Sequence, residues 1–220
     1  EITTRLVGSE MCIRDSVKES FLLHQYPENR IFVNPYGVDL SMFKPLPNIP
    51  KKYDVIMVGG WGYEKGCDLI VEAIRKTNYS FIHVGSIKDV DFPQEKNFTH
   101  IDPVDQSKLI EYYNQAKVFI LPSRQDGFGM VLSQALACNL PIIGSNNCGA
   151  PDLKKMVELP EYITIIKDYT ADAIVTAIHT AIKNYEQLGE RIYAGNAIEN
   201  LTWEAYGKRY ANFLHKIIKQ

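Results

Sequence analysis

Two glycine-bearing stretches carry the residue types needed to hold a charged ligand. The first is Gly59-Gly60-Trp61-Gly62-Tyr63-Glu64-Lys65-Gly66. Glycines let a ligand approach the backbone closely, and the free amides that open a helix attract anions. Lys65 adds a positive charge suited to a phosphate. The spacing is not that of a dinucleotide fingerprint, because Gly60, Gly62 and Gly66 leave one residue too many, and no Gly-Lys-Ser/Thr follows as a P-loop requires. Alone, the stretch equally describes a tight strand-to-helix turn with a solvated lysine. The second is Pro122-Ser123-Arg124-Gln125-Asp126-Gly127-Phe128-Gly129-Met130. There a strand ends and a helix begins on glycine-bounded amides, which again builds an anion site. Gln134 follows Asp126 by eight residues. On a helix that overshoots two turns by only ~80°, so both side chains could address one ligand. Taken singly, Asp126 reads as well as an N-cap, and Gln134 as a solvated helix residue. A third turn-rich run, Gly144-Ser145-Asn146-Asn147-Cys148-Gly149-Ala150-Pro151-Asp152, could close over a ligand on the same edge or simply connect elements, and the connector reading is preferred.

The segments around these loops alternate between strand and helix. Short β-branched and apolar runs at 53–58, 81–84, 98–101, 118–121, 141–143 and 162–166 read as strands. A further short strand is expected at 31–33. Helices are expected over 18–26, 65–76, 106–116, 128–138, 171–185 and 203–218, and the prolines at 45, 47 and 50 mark 44–52 as a loop. Strands this apolar, separated by helices, predict an α/β, Rossmann-like parallel sheet with helices on both faces. In such sheets ligands bind at the carboxyl ends of the strands, where both glycine stretches fall.

Composition narrows the function further. The chain has 220 residues, 24 Lys+Arg against 26 Asp+Glu, and a net charge of −2; 45% of residues are hydrophobic. This excludes disorder as the main state. The balance argues against nucleic acid as the main partner, which calls for an excess of basic residues. No apolar run reaches the ~20 residues of a membrane span. Cys12, Cys67, Cys138 and Cys148 form no Cys-x-x-Cys pair. They read as reduced thiols of a cytoplasmic protein without structural zinc. The five histidines (His24, His83, His100, His179 and His215) sit in no constellation and read as structural or solvated. Residues 6–16, Leu-Val-Gly-Ser-Glu-Met-Cys-Ile-Arg-Asp-Ser, resemble the translation of a transposase adapter used in sequencing libraries. Residues 1–16 are therefore expected to be a scar without evolved function, and 17–220 one domain of a protein whose N-terminal part is missing.

Four motifs in one order resemble a known family. They are Asn34-Pro35-Tyr36-Gly37-Val38-Asp39 with Phe43; Gly59 with Lys65-Gly66; Pro122-Ser123 with Asp126-Gly127-Phe128-Gly129; and Ala135-Leu136-Ala137-Cys138 with Pro141. Together they look like the retaining glycosyltransferases of family 4, which have the two-domain GT-B fold. The resemblance covers residues 17–219 and corresponds to the C-terminal, donor-binding domain. It implies a nucleotide-diphosphate sugar as donor substrate, no cofactor and no metal. It implies that Lys65 contacts the donor diphosphate, and that Gly60 and Trp61 lie in the same donor loop. Backbone amides of Gly127, Phe128, Gly129 and Met130 would lie near the phosphates and the transferred sugar. Asp126 falls where the family has a Glu holding sugar hydroxyls, and Gln134 where a second Glu binds the ribose. Val104 falls where the base rests. Asp126 and Lys65 are thus the catalytic candidates. Three departures stand out: Asp126 is one methylene shorter than Glu, Gln134 is neutral, and the usual arginine of the first loop is Gly60. Arg124 is a candidate to replace that charge. The resemblance also implies that the acceptor site belongs to an absent N-terminal domain, and that the full-length enzyme associates peripherally with a membrane.

The last helix carries an aromatic stripe, Trp203, Tyr206, Tyr210, Phe213, Leu214 and Ile217, with Thr202 as N-cap. Part of it is expected to pack on the sheet, and part to face the missing domain and favour self-association. Two other readings compete. One is a binding module whose Gln134 and Gly60 mark lost catalysis. The other is a nucleotide-dependent oxidoreductase half, which the glycine spacing opposes.

Overall fold

The computed structural model describes residues 15–188 and 195–218. Six parallel strands form one sheet in the order β3-β2-β1-β4-β5-β6. They are β1 Tyr53–Val58, β2 Phe81–Val84, β3 Phe98–Ile101, β4 Ala116–Leu121, β5 Ile142–Ser145 and β6 Ile163–Ile166. The helices are α1 Asp15–Leu23, α2 Cys67–Lys76, α3 Gln106–Gln115, α4 Met130–Ala137, α5 Ala150–Met156, α6 Ala171–Leu188 and α7 Trp203–Ile218. Right-handed crossovers place α2 on one face of the sheet and α3, α4 and α5 on the other. Helix α6 returns across β4, β5 and β6 to pack on α2. The fold is the expected α/β Rossmann-like one.

The central strands carry their apolar residues on both sides for a physical reason: both faces are covered. Val55, Ile56, Met57 and Val58 of β1 and Val118, Phe119, Ile120 and Leu121 of β4 are all buried. Edge strand β3 is only half-buried along its length. On α2, Leu69, Ile70, Ala73 and Ile74 make the buried face, as their spacing requires.

Two expectations change. Residues 31–33 are not a strand. Phe32 instead stacks on Phe213 of α7, with ring centroids 4.4 Å apart and planes at 8°. The apolar run is consumed by ring packing rather than by a hydrogen-bonded ladder. The aromatic stripe of α7 accordingly packs on this N-terminal segment and not on the sheet: Trp203 and Tyr206 both meet the ring of Tyr36. Trp203 and Leu214 stay exposed, and the side chain of Ile217 lies outside the described residues. Thr202 does cap α7, accepting the Ala205 N–H at 3.1 Å. Val38 forms a parallel bridge with Thr202. Arg209 donates to Asn34 Oδ1 at 2.7 Å and to the Pro35 carbonyl at 3.1 Å. The adapter-like stretch and Cys12 lie outside the described residues, apart from Asp15 and Ser16, which open α1.

The chain leaves β1 toward β2 on one side and leaves β4 toward β5 on the other. Between these neighbours the sheet has its switch point, and a crevice opens at their carboxyl ends.

Candidate functional site

The loops that follow β1 and β4 meet at this switch point. Gly66 adopts a left-handed backbone, φ 74°, and a Cβ there would collide with the carbonyl oxygen of Pro122. Only glycine allows the two loops to close on one another. The Arg124 N–H then donates to the Glu64 carbonyl at 2.8 Å.

Two ion pairs tie the second loop to the first loop and to the start of α2. Lys65 Nζ lies 2.8 Å from Asp126 Oδ2, with both side chains largely buried, and 3.6 Å from Glu64 Oε1. Arg124 forms a two-pronged pair with Asp68, at 2.6 and 2.8 Å. It also donates to the Tyr63 carbonyl at 2.7 Å and stacks on the Tyr63 ring at 3.7 Å. The Asp68 carboxylate holds the Arg124 guanidinium above its ordinary pKa. Arg124 is thus fixed as a brace, and the expectation that it replaces a missing donor-binding charge is not met. Its planar fork is engaged by both oxygens of a carboxylate.

The amides of the second loop are arranged differently. Gly129, at φ 74°, is the residue that opens α4, so Asp126 is not the N-cap. Asp126 N–H donates to the Asn147 carbonyl at 3.0 Å, and the Phe128 carbonyl accepts Gly149 N–H at 2.8 Å. The run 144–152 is a connector that also props this loop. The N–H groups of Gly127, Phe128, Gly129, Met130 and Val131 donate to no backbone acceptor among the described residues. Such amides at a helix start are the ordinary makings of an anion site. Gly127 is exposed, with open space around its Cα.

The remaining candidates divide. Met130 and Gln134 line a cavity of about 200 Å³ together with Asp39, Gln106 and Trp203. Gln134 is buried rather than solvated, and its Oε1 already accepts the Tyr113 hydroxyl at 3.0 Å. Part of the acceptor capacity expected for a ribose hydroxyl is therefore occupied. Burial raises the Tyr113 pKa, so this hydroxyl remains a donor. Val104 packs half-buried against the core and is not among the residues lining the cavity. Trp61 is a correction as well. Its indole is fully buried against His83, Phe92 and Phe98, because a large apolar ring gains more from the core than from the rim. Its backbone is engaged within the protein as well, the N–H donating to the Ser86 carbonyl and the carbonyl accepting the Lys88 N–H. Gly60 stands at the rim under the side chain of Lys88.

Sequence reading missed three participants: Tyr113, Lys88 and the histidine pair. His83 Nε2 donates to the Gly59 carbonyl at 2.8 Å, and its Nδ1 lies 2.9 Å from Nδ1 of His100. Burial lowers the His83 pKa to about 4. His83 therefore stays neutral and carries its proton on Nε2. The pairing His83↔His100 across β2 and β3 was available in principle from two histidines at matching strand positions. Cys67, Cys138 and Cys148 are buried free thiols. Burial pushes Cys67 and Cys138 up to about 12, which makes them inert. Among the described residues no three His, Cys, Asp or Glu side chains gather to hold a metal ion, and no helix is long and apolar enough to cross a membrane.

Comparison with known proteins gives this arrangement a family. Residues 40–197 match the family of glycosyl transferases group 1. The chain belongs to the group 1 glycosyl transferases. It is 25% identical over 214 residues to a probable sucrose-phosphate synthase of Thermosipho melanesiensis, covering 87% of this chain and 49% of that protein. It is 24% identical over 214 residues to a GDP-mannose-dependent alpha-(1-6)-phosphatidylinositol monomannoside mannosyltransferase of Mycolicibacterium smegmatis, covering 82% and 55%. The chain thus spans about half the length of these relatives. Among solved structures, Anabaena Alr3699/HepE in complex with UDP superposes with a TM-score of 0.76 at 16% identity, over 93% of this chain and 63% of that one. The sucrose-phosphate synthase of Thermosynechococcus elongatus gives 0.69 at 20% identity, over 92% and 56%. The fold of this group 1 glycosyl transferase chain matches a part of these GT-B glycosyltransferase structures.

Proposed function

We propose that this chain is the donor-binding half of a glycosyltransferase that moves a hexose-type sugar from a nucleotide-diphosphate sugar with retention of configuration. The observation that carries this reading is the cluster of unengaged amides at residues 127–131, one residue from the carboxylate that Lys65 reaches. A diphosphate would take the amides as hydrogen-bond donors and draw Lys65 away from Asp126. Asp126, released, would then be free to accept from sugar hydroxyls. Negative charge that develops on the leaving diphosphate would meet fixed dipoles and one ammonium, the arrangement that stabilises such transition states. Retention corresponds to attack by the acceptor hydroxyl on the face from which the diphosphate departs, the diphosphate taking the proton. The charge neutralisation needs no metal. Complexes of Alr3699/HepE with UDP and UDP-glucose support a nucleotide sugar as the ligand class. The acceptor would be held by a separate N-terminal domain, so this chain alone binds donor and does not turn over.

A second reading is a nucleotide-sugar-binding module without catalysis. Its ground is the pair of departures at the site, a neutral Gln134 engaged by Tyr113 and a Gly60 without a side chain. A thermal-shift panel of UDP-, GDP- and ADP-glucose separates these readings from failure of both, because a ligand that binds only the folded chain raises its stability. At least one donor is expected to raise the melting temperature. Lys65→Met is expected to weaken that donor roughly thirtyfold, the scale of one charge-assisted hydrogen bond of ~2 kcal/mol. A panel without any shift sinks the donor site. Sugar transfer by this chain alone refutes the divided acceptor site, and absence of transfer after adding back an N-terminal domain favours the binding module.

A further inference from the structure

Among the described residues, the segments that follow β1, β2 and β4 carry the cations Lys65, Lys88 and Arg124, and two of these are already matched by carboxylates. Lys65 has Asp126 at 2.8 Å, and Arg124 has Asp68 at 2.6 Å. Lys88 is the third. It comes from the turn after β2, not from either glycine loop. Its backbone is fixed there: Lys88 N–H donates to the Trp61 carbonyl at 3.0 Å, and Ile87 bridges Trp61 in parallel. Its neighbour Asp89 faces the first loop and accepts the Tyr63 N–H at 2.8 Å. That carboxylate is thereby committed to a backbone amide. The Lys88 ammonium has no hydrogen bond or ion pair among the described residues.

The side chain nevertheless has a defined position. A Cβ built on Gly60 would stand 2.5 Å from Lys88 Cε, 3.1 Å from Cδ and 3.3 Å from Nζ. The ammonium lies over the glycine, in the volume that a side chain at position 60 would fill. The three nearest atoms to that position all belong to Lys88, so the absence of a side chain at 60 and the placement of Lys88 are two halves of one arrangement.

We propose that Lys88 is a diphosphate-binding residue of the donor site, a positive charge delivered from the loop of the neighbouring strand across Gly60. This rests on the reading of the crevice as a nucleotide-sugar site. The charge balance is what selects it. The charge of Lys65 is already matched by Asp126, and Arg124 is held by two carboxylate oxygens, a carbonyl and an aromatic ring. Lys88 has no partner to abandon. A lysine is a point charge on a long stem, so it tracks a phosphate oxygen without the planar register an arginine requires.

The test compares wild type, Lys88→Ala, Lys88→Arg and the double variant Gly60→Arg with Lys88→Ala. Titration calorimetry uses UDP, GDP and ADP, and then the free nucleoside of whichever diphosphate binds wild type most tightly. Lys88→Ala is expected to weaken the diphosphate about tenfold, the lower range for losing one charged hydrogen bond, and to leave the nucleoside unchanged. Lys88→Arg is expected to hold most of the affinity. The double variant is expected to recover it, because the Lys88 stem is what crowds a side chain at position 60. Unchanged diphosphate binding by Lys88→Ala overturns the proposal while leaving the donor site standing. An equal loss for nucleoside and diphosphate also overturns it, since that marks a structural role. Wild type that binds none of the three diphosphates removes the donor site, and the role of Lys88 with it. Melting curves of the unliganded variants, expected to coincide with wild type, exclude unfolding as the cause.

Discussion

The loop after β1 engages most of its amides internally: Trp61 N–H donates to Ser86, Lys65 to Gly62, Gly66 to Tyr63 and Cys67 to Gly62. The loop after β4 leaves the amides of residues 127–131 without backbone acceptors. Both stretches are rich in glycine, and composition gives no hint of this division. Their glycines do different work. Gly66 lets two loops touch, whereas Gly129 turns the chain into a helix with its first N–H groups exposed. A loop of the first kind can offer a ligand charge from its side chains. A loop of the second kind offers oriented dipoles. The proposed donor site uses both, and the Lys65–Asp126 and Arg124–Asp68 pairs tie the second loop to the first loop and to the start of α2.

The strongest challenge to this contrast comes from acid. The first loop is suspended from His83, whose pKa falls from the usual 6.5 to about 4 on folding. The unfolded chain takes up the proton first as pH drops. The stability tied to neutral His83 is therefore complete above about pH 6.5 and is lost progressively down to about pH 4, by on the order of 3 kcal/mol. Urea unfolding between pH 7 and 4 should show this slope, and His83→Gln should flatten it. An identical slope in the variant would remove His83 as the support of the first loop.

A smaller effect tests the fixed brace. Arg124→Lys keeps the charge and loses the fork, and is expected to cost about 2 kcal/mol, a fall in melting temperature of roughly 4–8 °C. A melting temperature within 1–2 °C of wild type, about what 0.5 kcal/mol would give, would show that the two ion pairs are equivalent. The smallest effect concerns the exchangeable pair. Asp126→Asn releases Lys65 and should raise affinity for a nucleoside diphosphate about threefold, while costing at most about 1 kcal/mol of stability. Calorimetry that finds weaker binding would mean that Asp126 positions Lys65 rather than competes for it.

Much of this was legible in the chain itself. The six strands follow from apolar runs, since a sheet covered on both faces leaves little room for other patterns, and the loops fall at the edge that parallel topology prescribes. Lys65 and Asp126 could be named from their neighbours in sequence. What stayed hidden were directions. Nothing in the residues around Arg124 says that it turns toward Asp68, 56 positions away. The Tyr113 hydroxyl on Gln134 and the Lys88 stem over Gly60 are equally products of tertiary packing. The run 31–33 misled because apolar periodicity reports burial and not the partner that provides it. Here the partner is an aromatic helix face.

The bridge between Val38 and Thr202 places the segment before β1 and the segment that opens α7 side by side along one wall of the 200 Å³ cavity. At Gly37 they are so close that a Cβ would stand 2.5 Å from the Trp203 backbone, with no slack for one to slide past the other. The two segments thus form a single seam. Gly37, Val38 and Trp203 all line the cavity, so a ligand bound there is expected to order both segments together. Hydrogen exchange would register this as a joint slowing at Val38 and Tyr206 when a nucleotide binds, whereas protection of one without the other would part the seam.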